Sequence, residues 1–216
     1  MTLALVNLSL TLAGHTLVAP FSATVEPGQV LVLMGDSGSG KSSLLSYMAG
    51  LLEAPLSASG QVLLGGRDIT TLPTEQRQLG LLFQDDLLFP HMSVLDNLLF
   101  ALPAGQRQVR VASAAAALAT AGLAGFEARR PSSLSGGQRA RVSLLRALLS
   151  GPRVLLLDEP FGKLDALLRE QMRQFVWAQL RRHQVCGVLV THDVQDVPQG
   201  AQVVQLSALM SNVNNA

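Results

Sequence analysis

Residues 35–42 read GDSGSGKS, a stretch with the residue types to hold a chain of phosphates. It fits the pattern GxxxxGK[ST], with an apolar run before it and a helical pattern after it. Glycines let the backbone wrap its N–H groups around a β-phosphate, Lys41 reaches the β- and γ-phosphates, and Ser42 offers a hydroxyl to Mg²⁺. The expected phosphate-holding set is Gly35, Asp36, Ser37, Gly38, Ser39, Gly40, Lys41, Ser42 and Ser43. Downstream, VLLLDE (154–159) places two carboxylates at the end of an apolar run, where ligands bind in open α/β sheets. Asp158 is suited to holding Mg²⁺ through water, and Glu159 to orienting an attacking water. His192 in VTHD and Gln84 after LGLLF end two more such runs. His192 can touch a γ-phosphate and the same water, and the Gln84 amide can bond Mg²⁺ or water as well as a neighbouring segment. Taken singly, a histidine after a strand also fits a structural place, and a loop glutamine is ordinarily solvated.

A second phosphate-type turn lies in SSLSGGQRARV (132–142). There a serine and two glycines stand at the mouth of a helix, where backbone N–H groups and the positive end of the dipole converge. A capped helix start accounts for the same residues. Why one chain should carry two such turns is a question its own residues leave open.

Four short apolar runs position these residues: VLVLM (30–34), LGLLF (79–83), VLLLD (154–158) and GVLVT (187–191). Such runs read as parallel strands buried on both faces of a sheet. Helical stripes separate them, one on Leu44, Leu45, Met48 and Leu52, another across 165–183 on Leu168, Met172, Phe175, Val176 and Leu180. Strand and helix in alternation predict an α/β fold. Two regions fall outside it. Residues 1–30 with GQVLLGGRDI (60–69) alternate apolar and polar, which predicts an antiparallel β layer turning at Gly65 and Gly66. Residues 85–148, with the alanine-rich VASAAAALATAGLAGF (111–126) read as helical, predict a helical insertion between sheet strands. The expected organisation is one domain over 1–216, with its core in 1–84 and 149–216 and a helical subdomain over about 85–148; the tail SNVNNA is expected to fray.

With 216 residues, 48% apolar and only 14% charged, the chain must build a large core or cover apolar surface with partners. Its net charge of +1 comes with scattered basic residues, so no nucleic-acid partner is expected. Cys186 is the single cysteine and reads as a buried thiol, consistent with a reducing compartment. The N-terminal MTLALVNLSLTLAG alternates like a strand rather than a secretion signal, and no apolar run approaches the roughly 20 residues that cross a bilayer. Membrane association is therefore expected only through another protein.

GDSGSGKS, the Gln84 loop, LSGGQ (134–138), LLLDEP (155–160), LD (164–165) and VTHD (190–193) stand in an order that resembles the ATP-binding subunits of ABC transporters across nearly the whole chain. The resemblance implies a P-loop NTPase (RecA-like) core of the ABC ATPase type, with the antiparallel layer and the inserted helical subdomain, and an ATP hydrolase using ATP and Mg²⁺. It also accounts for the second turn. Members pair head to tail, and each ATP is held between the phosphate loop of one subunit and the LSGGQ helix of the other. It implies that Ser135, Gly136, Gly137 and Gln138 face a partner's γ-phosphate, that Asp165 is the D-loop aspartate linking the sites, that Glu159, His192 and Gln84 are catalytic, and that Ser42, Gln84 and Asp158 serve the metal.

LFPHMSVLDN (88–97) is similar to importers of thiamine, ferric iron, spermidine and related solutes, and the short chain looks most like YnjD-type ATPases. That likeness implies integral membrane permease subunits as partners, with Phe89, Pro90, His91 and Met92 at the contact, an extracytoplasmic solute-binding protein acting indirectly, and a peripheral place on the cytoplasmic face of the inner membrane. Efflux and lipoprotein-release ATPases share every catalytic motif, and soluble relatives acting on nucleic acid are a further class. The sequence also departs from the family. Only Leu12, Ala13 and His15 stand where an aromatic ring usually stacks on adenine, Asp36 replaces a frequent proline, and Lys163 beside the D-loop is unusual.

Overall fold

In the computed structural model, residues 1–83, 85–162 and 164–206 are described. The chain begins with β1 (Leu3–Leu12) and β2 (His15–Val25), then β3 (Val30–Met34), α1 (Lys41–Ala49), β4 (Leu56–Leu64) and the two-residue β5 (Arg67–Asp68). It continues through β6 (Leu79–Leu82), α2 (Val94–Ala101), α3 (Arg107–Thr120), α4 (Gly136–Leu149), β7 (Val154–Asp158), α5 (Ala166–His183), β8 (Cys186–Thr191) and β9 (Gln202–Gln205). Two sheets form, an antiparallel one ordered β2-β1-β4-β5 and a parallel one ordered β6-β7-β8-β3-β9. This is the expected α/β class with an antiparallel layer.

Of the four apolar runs, those of β3, β7 and β8 are buried on both faces, whereas LGLLF is not: β6 lies at the sheet edge, Leu79 and Leu81 are half-buried and Phe83 is exposed. Leu31, Leu33, Leu156, Val188 and Val190 point into a core shared with β1 and α1, while Val32, Leu155, Leu157 and Leu189 point into a second core under Val176 and Leu180 of α5. A third apolar cluster joins α2, α3 and α4 through Val94, Leu98, Leu118, Val142 and Leu145. Helix α4 belongs to both of the latter, because Leu144 faces the sheet and Leu145 the other helices.

Several boundaries differ from the sequence expectation. Helix α1 stops at Ala49 because Gly50 takes a left-handed cap (φ 78), leaving Leu52 outside it. Helix α3 stops at Thr120 rather than near Phe126, since Gly122 and Gly125 both take positive φ. The β4–β5 hairpin does turn at Gly65 and Gly66, whose φ values of 58 and 82 suit a tight turn. Strand β9 has no apolar signature, because Gln202, Val203 and Gln205 are exposed at the sheet edge. Cys186 is fully buried, Trp177 packs edge-on against Phe161 with centroids 5.8 Å apart, and the Tyr47 hydroxyl donates to the Gly60 carbonyl at 2.9 Å. The expected fraying of SNVNNA lies outside the described residues.

Arg77 had no sequence signal, yet it closes the end of α1. Its guanidinium donates to the carbonyls of Tyr47 and Met48 (2.8 Å each), Leu72 (2.7 Å) and Thr70 (2.5 Å) while only 6% exposed. Arg77→Ala strands these carbonyls in a poorly solvated place. The expected loss is about 2–3 kcal/mol, seen in a thermal scan as a drop of about 5–10 °C in Tm.

Candidate functional site

The chain leaves β3 at Met34 and re-enters helix at Lys41, so residues 35–40 turn between a buried strand and a helix N-terminus. A Cβ on Gly35 would lie 2.5 Å from the Leu206 carbonyl, and one on Gly40 (φ 86) would meet Leu10 at 2.8 Å. Both positions therefore require glycine. Gly40 offers no side chain to cap α1, so the first N–H groups of that helix stay available to an anion. Lys41 is only 6% exposed and curls back over the turn, donating from Nζ to the carbonyls of Gly35 (2.8 Å) and Asp36 (2.7 Å). Inside the turn, Ser39 is fully buried and its Oγ has no hydrogen-bond partner among the described residues. Asp36, Ser37 and Gly38 are exposed along the rim.

A recess of about 420 Å³ opens beside this turn, with Ser42, Ser43 and Glu159 on its walls. Its remaining walls include Leu12, Leu17, Pro55 and Leu56. Aliphatic side chains thus stand where the sequence offers no stacking aromatic; of the three residues named for that place, Leu12 is the one in the wall.

Parallel pairing of β7 with β8 sets Asp158 opposite Val190 and brings the two strand ends together. The Ser42 hydroxyl donates to Asp158 Oδ1 at 2.9 Å. Burial pushes the Asp158 carboxyl above its usual range, with adjacent Glu159 adding to the rise and the Ser42 hydrogen bond opposing it. A desolvated carboxylate beside a hydroxyl is a place where a hard cation gains most. Glu159 takes a left-handed conformation (φ 43), its N–H donates to the Val190 carbonyl at 3.0 Å, and its Oε1 stands 3.2 Å from His192 Nδ1. Strain of this kind is held at working sites when the surroundings impose it. Gln84 and Lys163 lie outside the described residues.

The second turn is built differently. Ser135 caps α4 with a full capping box: its Oγ accepts the Gln138 N–H at 3.3 Å, and Gln138 Oε1 accepts the Ser135 N–H at 3.0 Å. Gly137 is required by packing, since a Cβ there would lie 2.3 Å from Leu168 of α5. A Cβ on Gly136 would meet the Arg139 guanidinium at 4.0 Å, an ordinary contact with the end of a flexible side chain. Asp165 caps α5 by accepting the Leu168 N–H at 3.0 Å. These bonds are local, and none reaches residues 35–43.

Sequence reasoning missed the polar face of α4. Arg139 Nε pairs with Asp86 at 2.7 Å while its Nη1 donates to the Leu134 carbonyl at 2.8 Å. Ser143 donates to the Asp86 carbonyl at 2.7 Å, and Arg146 to the Leu87 carbonyl at 2.8 Å. Positions 139, 143 and 146 share one helix face, so the stripe was present in RARVSLLR, but nothing local showed what it would grip. The segment after Gln84 is thereby fastened to the helix that begins at SGGQ. Next to it, a groove of about 420 Å³ is lined by Leu81, Leu87, Phe89, Phe100, Arg146 and Ala147. Leu87 (54%) and Phe100 (66%) are exposed there, and Phe89 packs edge-on against Phe100 with centroids 4.9 Å apart. Asn97, fully buried, holds the rim by accepting the Phe89 N–H (2.9 Å) and donating to the carbonyls of Phe89 and Ser93. Of the four contact candidates, Phe89 lines the groove, Pro90 and His91 are exposed beside it and Met92 is half-buried. A more enclosed cavity of about 260 Å³, lined by Phe83, Gly136, Arg139, Phe161 and Met172 among others, touches the second turn at Gly136 and includes none of residues 35–43.

The family model described as ABC transporter matches residues 18–162. The uncharacterized ABC transporter ATP-binding protein YnjD of Escherichia coli (strain K12) is 47% identical over 209 residues, covering 96% of both chains. The Fe(3+) ions import ATP-binding protein FbpC of Agrobacterium fabrum is 43% identical over 189 residues, 87% of this chain and 53% of the relative. The taurine import ATP-binding protein TauB of Pseudomonas fluorescens is 46% identical over 186 residues, 85% of this chain and 68% of the relative. The chain spans about half the length of the ferric-iron relatives.

Proposed function

The chain belongs to the ABC transporter family as an ATP-binding protein and is an ABC-type ATPase; from that premise we propose that it energises solute import through a separate membrane permease, by ATP-driven head-to-tail pairing of two copies. The observation that carries the pairing is the second turn. Its bonds are spent locally on capping α4, Gly136 meets only the end of the Arg139 side chain, and among the described residues no hydrogen bond of 135–138 reaches the chain's own phosphate turn. The Ser135 hydroxyl and the first N–H groups of α4 then meet a γ-phosphate held by another copy.

The phosphate turn supplies the other half. Its amides and the uncapped start of α1 hold the β-phosphate, while Lys41 exchanges its two carbonyl partners for phosphate oxygens. The donor set fits Mg²⁺, since Ser42 and the desolvated Asp158 already meet at 2.9 Å, with Gln84 as the proposed third contributor. When bound, the ion supplies charge neutralisation of the phosphates. Glu159 orients and deprotonates the attacking water, and His192 steadies Glu159 and contacts the γ-phosphate. Asp165 at the start of α5 connects one site to the other.

For the permease, the apolar groove of Leu87, Phe89 and Phe100 is the docking place, and α4 carries its position to SGGQ through Arg139, Ser143 and Arg146. No described helix is long and apolar enough to cross a membrane, in keeping with a peripheral subunit at the cytoplasmic face. Delivery of the solute by an extracytoplasmic solute-binding protein belongs to the same proposal, supported by relatives whose names describe import ATP-binding proteins. The division of the chain into a core (1–84 and 149–216) and a helical subdomain (about 85–148) follows the same proposal.

The test is complementation. Ser135→Arg places a bulky cation where the partner's phosphate must enter, so turnover is expected to fall about 10–100-fold with ATP affinity of the single subunit kept. Mixed with a Lys41→Ala chain, it forms pairs holding one intact composite site, and turnover rises above that of either variant alone. Unchanged turnover in Ser135→Arg, or no recovery on mixing, contradicts the shared site.

A further inference from the structure

We propose that Arg169 is a positioning residue that keeps Glu159 and His192 at bonding distance, by tying the turn after Glu159 to the loop after His192. The proposal deepens the ATPase reading above and rests on it for the role of the pair.

The sheet alone does not set this distance. The last β7–β8 partners are Asp158 and Val190, so both Glu159 and His192 lie beyond the β7–β8 ladder, with a single further bond from the Glu159 N–H to Val190. Both side chains depend on what grips the two loops. Helix α5 grips both. Arg169, with its side chain 19% exposed, donates from Nε to the Phe161 carbonyl at 3.2 Å and from Nη1 to the Asp193 carboxylate. Phe161 is fully buried against Trp177 of the same helix, which seats the turn 159–162 on α5.

On the other side, Asp193 organises the loop that His192 begins. Its Oδ1 accepts the Gln195 N–H at 2.9 Å, and its own N–H donates to Thr191 Oγ1 at 3.1 Å. The Thr191 hydroxyl donates to Asp196, which pairs with Arg173 at 3.3 Å, one helical turn along from Arg169. The Gln195 N–H, and then the Arg169 charge, hold the Asp193 carboxyl below its usual range, so it stays an anion for Arg169 to bind. One guanidinium thus fixes both ends of the Glu159–His192 contact. A planar fork with several donors can meet a carbonyl and a carboxylate at once, which a lysine cannot reproduce in the same geometry.

The experiment compares Arg169→Met, Arg169→Lys and Asp193→Asn with the unaltered full chain. In nucleotide-free protein, ¹⁵N NMR of the His192 ring is expected to move, in Arg169→Met and Asp193→Asn, toward the spectrum of Glu159→Ala, which has lost the contact outright. The kcat for ATP is expected to fall about 10-fold or more while the Kd for ATP stays within about twofold, with partial recovery in Arg169→Lys. In a His192→Ala background, Arg169→Met is expected to lower kcat by less than about twofold further, because the Glu159–His192 contact that Arg169 holds is already lost. A His192 spectrum unmoved in both Arg169→Met and Asp193→Asn, or an equal kcat loss with and without His192, overturns the proposal. If Arg169→Met does not fold, Asp193→Asn carries the same test. If the unaltered chain neither binds nor hydrolyses ATP, the ATPase reading fails, while the nucleotide-free spectra still decide whether Arg169 positions the pair.

Discussion

Replacing Lys41 with alanine is expected to weaken ATP binding by about 100-fold or more. Lys41 is held inside the phosphate turn with its ammonium on the Gly35 and Asp36 carbonyls, 2.8 and 2.7 Å away, and is only 6% exposed. Neutral carbonyls are weak partners for a full charge, so a polyphosphate that replaces them makes charge-assisted bonds of about 1.5–3 kcal/mol each. Losing even one or two such bonds is worth about 3 kcal/mol, which is about 100-fold in Kd. The fold itself should hardly respond, because the freed carbonyls lie in an exposed turn where water can replace the lysine. Calorimetric titration of the purified variant checks the affinity and a thermal scan checks the fold. Near-normal affinity in a well-folded variant contradicts the cradle.

Glu159→Gln separates binding from chemistry. The amide keeps the size of the carboxylate and an oxygen for His192 Nδ1, now 3.2 Å from Glu159 Oε1, but it cannot take a proton from water. Removing a positioned general base commonly costs about 10²–10⁴ in rate, so kcat is expected to fall about 1000-fold. ATP affinity should persist, because the phosphate turn, Ser42 and Asp158 are untouched. With hydrolysis blocked, the proposed head-to-tail pair has no route to separate, and the variant should run as a dimer with saturating ATP and Mg²⁺. Size-exclusion chromatography with light scattering decides this. A monomer under those conditions counts against both the water-orienting role and the shared site.

Much of the site was legible because its parts are contiguous. In GDSGSGKS the positive φ values of Gly38 and Gly40 and the uncapped start of α1 follow from eight neighbouring residues. SGGQ likewise announces its own cap, since the Ser135 and Gln138 bonds span three residues. Gly137 was harder to read. Beside Gly136 it looks like another phosphate glycine, yet Leu168, from a helix 31 positions away, is what excludes a side chain there. The aliphatic recess wall of Leu12, Leu17, Pro55 and Leu56 was invisible for the same reason, because it gathers the ends of three strands, β1, β2 and β4.

The sequence by itself determined the fold class, the four strands of the parallel sheet that carry apolar runs and the two glycine-rich turns at helix starts, because apolar periodicity and glycine-rich turns are written in residues that lie close along the chain. Only the tertiary structure decided the strand order β6-β7-β8-β3-β9, the edge strand β9, the Arg77 cap, the grip of α4 on Asp86 and Leu87, and the meeting of Glu159 with His192. Each of these joins residues from about 30 to more than 100 positions apart or depends on which strand neighbours which. An apolar run shows that a strand is buried; the partner beside it follows from how the connections close over the whole sheet.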